Sequence, residues 1–122
     1  MRFSDLKGLS WIKSFNIRPG FGINLNAQKR AKWLECHLWI DHPKAKSAFE
    51  ELLKSEDEIR AQLGGEVKFD KMEGRATCKI FESSSGDPAN HEQWPQIFQW
   101  LKERGEAFAK VLNPLVKGLN LD

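Results

Sequence analysis

AKWLECHLWIDHP, residues 31–43, alternates apolar and polar side chains with the two-residue period of a β-strand. Leu34, Cys36, Leu38 and Ile40 fall on one side, and Trp33, Glu35, His37, Trp39 and Asp41 on the other. Just upstream, FGINLN alternates Phe21, Ile23 and Leu25 with Gly22, Asn24 and Asn26, and the polar run Ala27–Arg30 supplies a turn. The two segments therefore predict a hairpin with one greasy side and one polar, aromatic side.

The hairpin leads into HPKAKSAFEELLKSEDEIRAQLGG, residues 42–65. Ala45, Ala48, Phe49, Leu52, Leu53, Ile59 and Leu63 make one apolar stripe, with Asp41 or Ser47 as cap and Gly64 and Gly65 as stop. The plan then repeats. EVKFD alternates Val67 and Phe69 with Glu66, Lys68 and Asp70; Glu73 and Gly74 turn the chain; RATCKIFE alternates Ala76, Cys78 and Ile80 with Thr77, Lys79 and Phe81. SSSGDPAN, residues 83–90, reads as a loop. A long helix from near Asn90 lines up Trp94, Ile97, Phe98, Leu101, Gly105, Phe108 and Leu112 until Asn113 and Pro114 interrupt it. Ahead of the first hairpin, Leu6, Leu9, Ile12 and Phe15 predict a short N-terminal helix over residues 4–16, broken by Pro19 and Gly20.

These elements predict a single α+β domain over residues 1–122. It has two layers: a four-stranded, mainly antiparallel sheet built from two strand-strand-helix repeats, plus the short N-terminal helix. Helices covering the side of Ile23, Leu34, Leu38, Val67, Phe69, Cys78 and Ile80 would leave the other face bearing Asn24, Trp33, Glu35, His37, Trp39, Lys68, Lys79 and Phe81. Three aromatics on an open face make a candidate contact patch. The expected binding residues are Trp33, Glu35, His37, Trp39, Lys68, Lys79 and Phe81.

Composition narrows the function classes. With 122 residues, 40% hydrophobic and 30% charged, the chain is sized for one globular unit. Nineteen Lys and Arg against 17 Asp and Glu leave +2, far from the footprint of a dedicated nucleic-acid binder. MRFSDLKGLSWIKSF has no secretory apolar run and no segment is long enough to span a membrane, so a cytoplasmic location is expected. Cys36 and Cys78, far apart and outside any CxxC, read as buried thiols.

AKSAFEELLKSEDEIRAQLGGEVKF (residues 45–69) and EQWPQIFQWLKERGEAFAKVLNPLVKGL (residues 92–119) resemble a bacterial domain of unknown function catalogued as family 4268. The likeness lies in a Phe-bearing helix, a Leu-Gly turn into a strand, and a terminal helix opened by a Trp-Pro motif, across roughly residues 20 to 118. The resemblance implies a bacterial mobile-DNA or defence setting, because such domains often follow restriction-nuclease-like domains. Its motifs are hydrophobic anchors, so no catalytic residue carries over.

Sharper chemistry is open to three readings. Glu35, His37 and Asp41 project to one side of a strand and suit a divalent ion, which would make a metal-assisted hydrolase. Glu66-Val67-Lys68 has a nuclease-like Glu-x-Lys form, yet its upstream Asp41 is a whole helix away. SSSG lacks the setting of a nucleophile elbow. Neither a resident metal nor a cofactor is expected. The favoured reading is a non-catalytic binding or self-association module: a homodimer or protein partner on the aromatic face, nucleic acid ranking behind both, and the hydrolase as the alternative.

Overall fold

The computed structural model describes residues 10–64 and 66–121, the side chains of residues 10–13 aside. Its elements are β1 (Ser10–Arg18), β2 (Phe21–Gln28), β3 (Trp33–Ile40), α1 (Ala45–Leu53), α2 (Glu56–Leu63), β4 (Lys68–Asp70), β5 (Cys78–Ser85) and α3 (Trp94–Lys117). Among the described residues the strands form one antiparallel sheet in the order β1-β2-β3-β5-β4. The protein is thus α+β with an antiparallel sheet, but of five strands rather than four.

The fifth strand replaces part of the predicted N-terminal helix. Residues 10–16 pair with β2, and the rest of that prediction, residues 4–9, lies outside the described residues. Pro19 and Gly20 do not end a helix; they turn a hairpin in which Arg18 faces Phe21. Proline presets the first turn position, and Gly20 takes φ +87°, the left-handed region a second turn position asks for. A Cβ on Gly20 would come within 2.9 Å of the Asp41 carbonyl, so the turn needs glycine on two counts.

With β1 added, the two halves are no longer copies. A three-strand meander precedes α1 and α2, whereas a two-strand hairpin precedes α3, and β5 inserts between β3 and β4. The single helix expected over residues 45–63 divides at Lys54 and Ser55. The second half restarts with Glu56, Asp57 and Glu58, three acids that favour a helix N-terminus. Neither Asp41 nor Ser47 caps α1, whose entry is held instead by the Lys44 amide donating to His42 Nδ1 at 3.0 Å.

Helix α3 lies across the inner sheet face and buries Ile97, Leu101, Gly105, Phe108, Leu112 and Val116, a stripe in steps of three and four. Gly105 lets it come close to β2, since a Cβ there would stand 3.2 Å from Leu25 Cδ2. Pro114 does not stop the helix; exposed and within one turn of the end, it forfeits one hydrogen bond and still accepts from the Gly118 amide. Facing the helical layer are Phe21, Ile23, Leu25 and Ala27 of β2, Leu34, Cys36, Leu38 and Ile40 of β3, and Cys78 and Ile80 of β5, all buried. Both cysteines are free, and burial pushes their thiols up from the usual range, Cys36 the further.

Long cations tie this layer together by its backbone carbonyls. Arg18 donates to Val116 and Leu119 at the end of α3. Lys46 of α1 donates to the carbonyls of Lys71, Met72 and Thr77, spending all three protons on the loop between β4 and β5. Arg104 of α3 bonds Glu82 of β5 at 2.7 Å and also the Leu63 carbonyl that ends α2.

Replacing Arg104 with Met should cost about 2–4 kcal/mol in urea unfolding, because Glu82 is left largely buried and unpaired. The double variant with Glu82→Leu should recover most of that loss, which a double-mutant cycle will show. Neither cysteine should react with a maleimide at pH 8 in the native protein, and both should react on unfolding.

Candidate functional site

The sheet face away from the helices is built in rows across the strands. Gln28, Trp33 and Ser85 form one row; Asn26, Glu35 and Ser83 the next; Asn24, His37, Phe81 and Lys68 a third; Gly22, Trp39, Lys79 and Asp70 the last. All seven residues expected to bind therefore share one face: Trp33, Glu35, His37, Trp39, Lys68, Lys79 and Phe81. Antiparallel pairing places directly opposed residues on the same side, so one alternating strand at the centre dictates the whole pattern.

The face is less bare than its sequence suggests. Glu35 and His37 keep only 6% and 8% of their surface, while Trp33, Trp39, Lys79 and Phe81 are half-buried. Trp39 sets its ring edge-on to His37 at 5.9 Å, and the Lys79 ammonium sits 4.3 Å from the centre of the Phe81 ring. A polar centre is thus ringed by aromatic and aliphatic surface.

At that centre, Asn24 Nδ2 lies 3.0 Å from His37 Nε2. An amide nitrogen only donates, so Nε2 accepts and the ring proton belongs on Nδ1. Nδ1 stands 2.6 Å from Glu35 Oε2, a close polar contact without an aligned hydrogen bond. Lys79 approaches both Glu35 oxygens at 3.4 and 3.5 Å. Burial pushes the Glu35 carboxyl up, but the His37 contact and Lys79 outweigh it and hold the group below its ordinary range. The result is an anchored carboxylate beside an imidazole held through Nε2 by Asn24.

Asp41 does not join them. The strand ends at Ile40, and Asp41 is exposed, with its amide donating to the Gly20 carbonyl. His42 packs its ring 5.8 Å from that of Phe21, and His91 stacks on Trp94 at 4.1 Å, so the three histidines serve three separate places. Among the described residues no group of three or more His, Cys, Asp or Glu is placed to hold a metal ion. Glu66 lies before β4, exposed, rather than on a strand beside an aspartate.

Sequence reasoning missed the serines. Ser83, Ser84 and Ser85 continue β5 instead of forming a loop. With Lys32, Trp33 and Glu35 they line an open depression of about 410 Å³. No alternation marks this extension in the chain, since inward-facing Glu82 and Ser84 are as polar as outward-facing Ser83 and Ser85, and serine's preference for turns spoke against a strand.

Because the Glu35 carboxyl is depressed in the fold, its stabilising share is fully present above its unfolded value of 4.5 and is lost as pH falls through the lower folded value. Glu35→Gln should therefore flatten the acid limb of stability below pH 4.5, read as urea midpoints from pH 3 to 7.

No curated protein and no solved structure matches the chain. A family model does match, over residues 7–116, which takes in all five strands, α1, α2 and nearly all of α3. By that match the chain belongs to the family described as domain of unknown function DUF4268.

Proposed function

We propose that the protein is a non-catalytic binding module that engages a protein partner, a second copy included, through its aromatic sheet face. The observation that carries this reading is the grouping of Trp33, Trp39 and Phe81 around the Glu35–His37 pair on the side no described helix covers. Large rigid side chains surrounding a fixed polar centre are the make-up of a recognition patch, in which aromatic anchors give affinity and the polar groups give orientation. The charges nearby are mixed, Lys68 and Lys79 against Glu35 and Asp70, which suits a protein surface better than a polyanion. A bacterial setting linked to mobile DNA or defence belongs to the same proposal and rests on the family resemblance alone.

A photoreactive side chain at exposed Ser83 will capture the occupant, whose mass tells a second copy from another protein. The double variant Trp33→Ala/Trp39→Ala should weaken that capture by about 100-fold, since aromatic anchors commonly supply 2 kcal/mol or more. Unchanged capture by a folded double variant would sink the reading.

A further inference from the structure

The two edges of the sheet are unequal. At one side β4 is three residues long and runs into the loop held by Lys46, whereas at the other β1 extends for nine, Ser10–Arg18. Among the described residues β1 pairs with β2 alone, so its outer row of backbone donors and acceptors has no neighbouring strand. Phe15 sits on this edge with 40% of its surface open, the one exposed large apolar side chain among the described residues.

We propose that β1 pairs antiparallel with β1 of a second copy, joining the two sheets edge to edge in a two-fold dimer. A strand paired antiparallel with itself makes a closed, self-complementary interface, and needs no foreign sequence. Side-chain alternation must continue across the junction, which restricts the register to those centred on a residue. Centring on residue 13 would oppose lysine to lysine. Centring on Phe15 or beyond would leave residues 10 and 11 without a partner, because β1 ends at Arg18. Centring on Ser14, the midpoint of Ser10–Arg18, avoids both and pairs the strand along its whole length, with Ser14 at the axis and exposed Phe15 one residue from it.

Continuity of the sheet fixes the rest of the geometry. The two-fold axis stands normal to the sheet, so both helical layers fall on one side and both aromatic faces on the other. Two weak partner sites side by side would then bind a repeated or paired target with avidity. The dimer itself stands on the edge strand and not on the reading of that face. At about 4.8 Å between strands, β5 lies about 17 Å from the axis, so a crosslinker at residue 83 does not join copies paired in this way.

The test is light scattering on the eluting protein over a concentration series. The native chain should show a doubling of its 14.0 kDa mass. Ser14 is exposed, so Ser14→Lys and Ser14→Glu should each fold, by circular dichroism, yet run as monomers, while their equimolar mixture returns to the doubled mass. Should charge at position 14 impair folding, Phe15→Ser serves instead and should weaken the dimer on the order of tenfold. A native chain that stays monomeric overturns the proposal, as does a dimer indifferent to the Ser14 and Phe15 changes. A dimer lost in Trp39→Ala but kept in the Ser14 variants also overturns it, and assigns self-association to the aromatic face.

Discussion

Strand β3 is paired along its whole length on both sides, and the rest of the structure follows from that constraint. A strand flanked by β2 and β5 cannot slip by one residue without turning Leu34, Cys36, Leu38 and Ile40 toward the helix-free face and Glu35 and His37 into the core. The cost of burying that carboxylate against leucines, set beside the gain from burying the leucines, leaves a single acceptable register. Both neighbouring strands inherit it, and with it the division of the molecule into a helical side and an aromatic side.

The two sides handle charge differently. On the helical side, Arg18, Lys46 and Arg104 carry their charge to carbonyls at element ends, and in one case to Glu82, so that cations act as struts between elements distant in sequence. These groups satisfy backbone acceptors that would otherwise be stranded near the core. On the aromatic side, the charge is gathered into Glu35, His37 and Lys79 between flanking rings. That arrangement holds a patch in one shape, which is what a recognition surface requires and what an isolated run of exposed tryptophans would lack.

Much of the candidate face could be read from the chain because alternation is a local property. Trp33, Glu35, His37 and Trp39 share a side by strand geometry alone, and Lys79 and Phe81 by the same rule on another strand. Which strand lay beside which was not local: β5 beside β3, opposing Phe81 to His37, follows from a crossover through α1 and α2. The errors have particular causes. Leu6, Leu9, Ile12 and Phe15 mimic a helical step, while edge pairing with β2 makes residues 10–16 a strand. The acids after Ser55 start a new helix, and Pro114 is tolerated because so few residues follow it within α3.

The sequence by itself determined the antiparallel α+β class, the inner and outer residues of β2, β3 and β5, and the amphipathic stripe of α3, since each depends on periods of two or of three to four along a continuous stretch. Only the tertiary structure decided that β1 completes a fifth strand, that the three serines extend β5 beside Trp33, and that Asp41 stands apart from Glu35 and His37. Those outcomes turn on which distant segments come to lie side by side, and contacts across long separations leave no periodic trace in the chain that makes them.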